Sequence, residues 1–439
     1  MKNIIHYSTT ALCLLFGLCW SLSATAQQTP GAPQSQSILI QGATAHIGDG
    51  QIIENSALGF AAGKIIEITT ADQVQNNYDQ VIDARGKELY PGFIALNATL
   101  GLVEIDAVRP TNDLDELGQF IPHIRSIIAY NAESKVVESV RPNGILTAQI
   151  CPRGGSISGK SSIVQLDAWN WEDAALKIDE GIHLNWPSPY QAGRWWLGED
   201  PTLKANKNYA KQVQKIRDFF QQSKAYLQKA QATTNIPFEA MRSVFKGGSK
   251  IYVHASQEKQ IVDAILFLHE FDLSQIVLVG GEDAITQVEF LKKHQIPVLI
   301  NQPHTLPKGE DDDPKTTFKR AAELHDAGIL VSIDVRGRME RMNTRNLPFY
   351  AGSFAAYGLE KEEAVEMITL NAAKIIGMED QIGSLAIGKD ATFFLSEGDA
   401  LDMRTNQLSA AYIQGRALSL ETHQTKLWKR YLPKVTSNK

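Results

Sequence analysis

Asn97 and Thr99 stand two residues apart in an apolar run, residues 91–101, that reads as a β-strand and its exit. Side chains at i and i+2 of a strand point to one side, so two imidazoles at this spacing on the C-terminal end of a barrel strand could hold one cation. An amide oxygen and a hydroxyl keep the spacing and lose the chemistry. Both are neutral, weak donors to zinc, and neither replaces an imidazole nitrogen in a three-ligand catalytic site. His254, in Ile251-Tyr252-Val253-His254-Ala255, ends another strand-like run, and His183, Glu282, His304 and Asp334 come from segments whose loops could converge on one mouth. Glu104, Asp106, Asp113, Asp115 and Glu116 follow the first run. Carboxylates gathered there could act as acid and base without a metal if their pKa values were pushed apart, whereas an acidic loop is more often solvated surface.

Five of the seven tryptophans, Trp169, Trp171, Trp186, Trp195 and Trp196, fall in one stretch. Such side chains serve either as a platform for a ligand or as packing for a long helical insertion, and packing is the commoner use. Residues 154–161 meet the Gly-x4-Gly-Lys-Ser spacing of a phosphate loop. That loop needs a strand before it and a helix after it, and the strand-like run that follows, residues 162–166, excludes nucleotide binding. Cys13 and Cys19 lie in the apolar N-terminal segment, which leaves Cys151 alone and rules out an internal disulfide. Cys151 follows the apolar run 145–150 and reads as a small buried hydrophobe with no chemistry assigned.

The elements that must position these residues fall into four parts. Residues 1–26 read as a signal peptide, with Lys2 as the positive start, an apolar run from Ala11 to Leu22, and Ala24-Thr25-Ala26 as the cleavage site. The expectation is an exported, periplasmic protein with no membrane anchor, since the apolar run is well short of the roughly 20 residues that span a bilayer. Residues 27–36 are rich in Gln, Pro, Ser and Gly and read as a flexible leader. Short apolar or alternating runs separated by Gly turns then fill 37–90 and recur over 381–425, which predicts one small β-sandwich built from both termini. Between them, strand-like runs at 144–150, 163–166, 250–253, 275–279, 297–300 and 328–333 alternate with amphipathic stretches. This pattern predicts an α/β fold, a (β/α)8 TIM-type barrel over about 91–380 with a Trp-rich helical insertion at about 169–235, in preference to a doubly wound sheet.

Three segments resemble the amidohydrolase superfamily, in its imidazolonepropionase-like and prolidase-like branch. They are Val81-Ile82-Asp83-Ala84 leading into Tyr90-Pro91-Gly92-Phe93-Ile94, then Ile368-Thr369-Leu370-Asn371-Ala372-Ala373, and Ile382-Gly383-Ser384-Leu385-Ala386-Ile387-Gly388-Lys389-Asp390-Ala391. The resemblance implies a metal-dependent hydrolase of carbon–nitrogen bonds. Its ligands would be a first-strand His pair, a Lys or Glu on strand four, a His on each of strands five and six, and an Asp on strand eight. Transferred residue by residue, those positions are Asn97, Thr99, His254, Gly280 and Arg336, with Asp334 two residues from the last and no residue assignable to strand four. With His254 the one match, the resemblance implies at most a weak divalent metal, zinc, held through His254, and no confident cofactor.

Asp and Glu number 49 against 43 Lys and Arg, for a net charge of −6, which argues against a nucleic-acid partner. The expected partner is a small molecule, with a homo-oligomer or a complex with a metal-competent relative as further assemblies. Two functions follow: a hydrolase of a cyclic amide or dipeptide-like compound, or a noncatalytic ligand-binding or partner subunit.

Overall fold

The computed structural model describes residues 29–200, 202–228, 233–307, 311–337 and 339–436. The expected signal peptide lies outside the described residues. Of the expected leader, 29–36 has no regular secondary structure yet is tied down. Gly31 N donates to Asp167 Oδ2 at 2.8 Å, and the Gln34 amide both donates to Phe60 O and accepts from Gly63 N.

The terminal segments meet in one hydrogen-bonded sheet that folds over on itself. From the N-terminal side come β1 (Ile38–His46), β2 (Ile52–Ala61), β3 (Lys64–Thr70), β4 (Gln80–Asp83) and β5 (Glu88–Pro91). The barrel follows: β6 (Phe93–Ala98), β7 (Ile145–Ile150), β8 (Ile157–Gln165), β9 (Ala175–Asn185), then the small hairpin β10 (Tyr190–Gln191) and β11 (Lys204–Ala205), then β12 (Lys250–Ala255), β13 (Ile276–Gly280), β14 (Val298–Asn301) and β15 (Val331–Asp334). The chain returns through β16 (Phe393–Ser396), β17 (Leu408–Ile413) and β18 (Arg416–Ala417) to give the order β18-β17-β16-β5-β1-β2-β3, with β4 on β1. Phe60, Phe393 and Tyr412 pack edge-on and tilted at the centre of this sheet's own apolar cluster. Side chains of β2 thus pack against those of β16 and β17, strands three and four places away in the sheet order.

Eight strands close the barrel in the order β6-β7-β8-β9-β12-β13-β14-β15. It departs from a strict (β/α)8 repeat, because β8 runs antiparallel to both β7 and β9. Residues 151–156 join β7 to β8, and a parallel return would need a crossover of about a dozen residues or more. The remaining neighbours are parallel. The stretch expected as a helical insertion therefore supplies the fourth barrel strand, β9. Its Lys177, Asp179 and Glu180 interrupt the apolar pattern that marks the other strands. Apart from the single turns Trp171–Ala174 and Trp195–Leu197, helix in that stretch is confined to Tyr209–Leu227.

One end of the barrel is plugged by the helix Leu370–Ile376, whose Ile375 and Ile376 are buried in the same cluster as Ile94, Leu96, Tyr252 and Val277. Lys177 Nζ donates to Ile376 O at 2.8 Å, and Lys250 Nζ donates to Ile375 O. Two ammonium groups thus meet the negative end of the helix, where cations are favoured. Because Lys250 begins β12, this plug closes the N-terminal end and leaves the C-terminal strand ends open for a site.

Candidate active site

At the C-terminal strand ends lies a cavity of about 610 Å³, lined among others by Asn185, Trp186, His254, Asn301, Asp334 and Arg336. Asp334 closes β15 and is buried. Its Oδ1 accepts from Asn97 Nδ2 at 2.9 Å and from the Arg336 backbone N at 2.8 Å. Oδ2 has no hydrogen-bond partner among the described residues, and Asp334 lines the cavity. Burial raises this carboxyl to about 6, against the opposing pull of the two hydrogen bonds and of Arg153 and Arg336.

Asn97 and Thr99 do not share a strand face as the spacing alone suggested. Asn97 takes φ 55°, a left-handed conformation that Asn tolerates better than most residues, and the pairing of β6 with β7 slips between Ala95 and Ala98. Thr99 lies just past the end of β6. The two are joined instead by a buried arginine. Arg153 donates through Nη1 to Asn97 Oδ1 at 2.9 Å and through Nη2 to Asn97 O at 2.7 Å. It also pairs with Glu340 at 3.1 Å, and Glu340 Oε1 accepts from both Thr99 N and Thr99 Oγ1. Burial opposes the charge on Arg153, but Glu340, Cys151 and Asp334 more than compensate and hold it as a cation.

His254 lies near the end of β12 and His183 near the end of β9, so the fourth barrel strand also brings an imidazole toward this end. The rings meet, His183 Nδ1 to His254 Nε2, at 2.9 Å, and Arg336 Nη1 lies 3.0 Å from His254 Nδ1. A guanidinium can only donate, so His254 Nδ1 must accept. Burial pushes both imidazoles well below their usual pKa, helped at His254 by His183, Arg336 and Arg153 and at His183 by Arg153 and Arg336. Each ring is then neutral. His254 carries its proton on Nε2 and donates it to His183 Nδ1, and the His183 proton is left on Nε2, a buried atom with no partner among the described residues. Below them, Glu180 accepts from Ser161 Oγ at 2.8 Å and Tyr252 Oη at 3.0 Å, and burial raises its pKa.

Of the residues named from sequence, the structure brings Asp334, Arg336, His254, Gly280 and His304 to the cavity. His304 is an exposed rim residue 3.2 Å from Ser353 Oγ. Asn97, Thr99 and His183 lie behind the lining, and Glu282 stands beside Asn301 at 3.3 Å, off the lining. Trp186 is buried and lines the cavity, while Trp169 and Trp196 are exposed, so the tryptophans form no single platform. Cys151 is buried, and its thiol is pushed up by burial. Arg153, Glu340 and Glu180 were missed. Arg153 could have been found, since it follows the second barrel strand at the end where barrel chemistry collects.

A family model described as "Amidohydrolase family" matches residues 181–425. The chain belongs to the amidohydrolase family. Among solved structures, an amidohydrolase from Thermotoga maritima superposes with a TM-score of 0.75 at 22% identity, over 87% of this chain and 99% of that one. A 5'-deoxyadenosine deaminase from Methanobrevibacter smithii is 21% identical over 374 residues, 77% of this chain and 79% of that protein. An imidazolonepropionase from Shewanella oneidensis is 54% identical over only 39 residues, 9% of this chain and 10% of that protein.

The divalent cation implied by family resemblance does not fit the donors of this amidohydrolase. Among the described residues no three His, Cys, Asp or Glu side chains converge to hold a metal ion. Neither imidazole presents a lone pair: on His254 one nitrogen accepts from Arg336 and the other carries a proton, and on His183 one accepts from His254. Gly280 takes φ 98°, and a Cβ there would sit 3.0 Å from Ser256 Oγ, so a sixth-strand imidazole would be strained. Arg153 and Arg336 bring two positive charges to the same volume. The strand-eight carboxylate is Asp334, at the strand end, and Arg336 lies beyond it.

Proposed function

We propose that this amidohydrolase cleaves a carbon–nitrogen bond in a small cyclic amide or dipeptide-like substrate without a bound metal. The observation that carries the reading is the Asp334–Arg336 pair. A carboxyl held near 6, with one oxygen free in a cavity, stands beside a guanidinium that reaches the same space. Asp334 Oδ2 takes a proton from water as the water oxygen attacks the carbonyl carbon. Arg336 donates to the oxyanion, and the protonated Asp334 returns its proton to the departing nitrogen, leaving an acid and an amine. A general base tuned near the working pH is worth roughly 10²–10⁴ in rate. A deaminase and an imidazolonepropionase among the relatives support carbon–nitrogen chemistry. An exported, periplasmic setting is part of the same proposal, supported by the composition of residues 1–26.

The test is turnover of a panel of lactams, N-acyl amino acids and dipeptides, with and without a chelator, by the unmodified protein and Asp334→Asn. Turnover that survives chelation and falls at least 100-fold in Asp334→Asn is expected. Turnover abolished by the chelator and restored by zinc would sink the metal-free route. Binding without turnover across the panel would favour a noncatalytic subunit.

A further inference from the structure

The helix His423–Thr436 has no buried residue. Leu427, Trp428, Tyr431, Leu432 and Val435 follow one another at i, i+1, i+4, i+5 and i+8, which places them on one helical face. All five are exposed, Trp428 by 60% and Val435 by 67%. Lys426, Lys429, Arg430 and Lys434 fall on the opposite side and are exposed as well, and no Asp or Glu lies between 423 and 436. The helix is fastened to the barrel at its first turn, where His423 N donates to Glu138 Oε1 at 2.6 Å, and Lys429 pairs with Glu421 at 2.8 Å. A soluble helix normally buries its apolar face against its own domain, and this one does not.

We propose that this helix docks the protein on an anionic lipid surface, lying in the headgroup region. Two features select that occupant. The chain as a whole carries −6, so a segment with four basic residues and no acidic one is a local reversal of sign. Tryptophan and tyrosine beside leucine and valine on the face opposite lysine and arginine is the composition of helices that lie in the bilayer interface. Among the described residues no helix is long and apolar enough to cross a membrane, so the proposal is peripheral docking.

The test is co-sedimentation with vesicles of phosphatidylcholine alone and of equal parts phosphatidylcholine and phosphatidylglycerol, using protein from the soluble fraction of expressing cells. The unmodified protein is compared with Trp428→Ala/Tyr431→Ala and with Lys426→Gln/Arg430→Gln/Lys434→Gln, so that anything residues 1–26 contribute is common to all. Circular dichroism checks that each variant keeps its fold. Retention on the phosphatidylglycerol vesicles is expected, weakened by salt and lowered at least tenfold in the aromatic variant. At roughly fivefold per basic side chain, the charge variant loses on the order of 100-fold. The proposal is overturned if the phosphatidylglycerol vesicles retain nothing, if both variants bind as the parent does, or if retention ignores lipid charge. A dimer that the aromatic variant splits, in a protein indifferent to vesicles, would assign the face to a second copy instead.

Discussion

Asp334→Asn should make the protein more stable at pH 8 and leave it almost unchanged at pH 4. The asparagine keeps the oxygen that accepts from Asn97 and from the Arg336 backbone, and replaces the free Oδ2 with an amide nitrogen facing the cavity. What it removes is an ionisation. The carboxyl moves from 3.8 to about 6 on folding, roughly 2 units, and at 1.36 kcal/mol per unit that is about 3 kcal/mol. A raised pKa contributes stability that is fully present below the unfolded value of 3.8 and lost as pH climbs through the folded value near 6. The parent should therefore lose about 3 kcal/mol relative to the variant between pH 4 and pH 7, with the gap flat above that. The buried His183 and His254 titrate in both proteins and cancel in the difference. Urea unfolding at pH 4, 5, 6, 7 and 8 measures the gap. A gap that does not change with pH, or a variant that becomes the less stable protein at pH 8, refutes the account of a strained carboxylate.

Turnover should move oppositely, rising with pH through about 6 as Asp334 becomes the base, so that kcat/KM against pH shows a single ascending limb there. His46 lies between Glu362 at 2.7 Å and Glu88 at 3.0 Å and stacks on Tyr90. Burial alone would lower its pKa, but the two carboxylates raise it above 6.5. His46→Gln should cost about 2 kcal/mol in urea unfolding at pH 6, a loss that shrinks at pH 9 once the parent His46 has itself deprotonated. Arg141 and Asp167 form a buried pair at 2.7 Å, and Arg141→Met removes that partner while Arg416 still holds Asp167 at 3.1 Å, so a loss of roughly 1.5–3 kcal/mol should appear as a lower urea midpoint. Cys151 should resist a thiol reagent in the native protein and react stoichiometrically once unfolded, since it is buried with its thiol pushed up.

The parts of this fold that read clearly were those whose physics is local. The strands later seen as β7, β12, β13, β14 and β15 are short apolar runs between turns, and their positions agree to within a few residues. The direction of β8 was hidden because a strand's composition does not encode its neighbour's polarity; only the short link 151–156 does. β9 was hidden because it carries charge. Glu180 is satisfied by Ser161, Gln149 and Tyr252 from three other strands, partners that no window of sequence contains. The site divides in the same way. Asn97, Thr99 and Asp334 could be named from the strands they end. That Asn97 turns out of register, and that Arg153 reaches it from the link after the neighbouring strand β7, depends on packing between residues 52 or more apart in the chain.

The guanidiniums account for how the donor atoms around the cavity are engaged. A metal ligand must offer a lone pair, and here the imidazole and amide lone pairs already point at donors, His254 at Arg336, His183 at His254 and Asn97 Oδ1 at Arg153, which leaves Asp334 Oδ2. Restoring histidines at 97 and 99 therefore leaves Arg153 and Arg336 in place and places one new ring on a left-handed residue. A cation entering that volume would meet the guanidinium of Arg336 and that of Arg153, the latter paired with Glu340. The same charges work in favour of a developing oxyanion. Unlike a metal, they do not lower the pKa of a bound water, so on the proposed metal-free route the base must be a carboxylate. A carboxylate at its ordinary value near 4 would be a weak base for that task. On that route the burial that lifts Asp334 toward 6 and the guanidiniums beside it belong to one arrangement of charge.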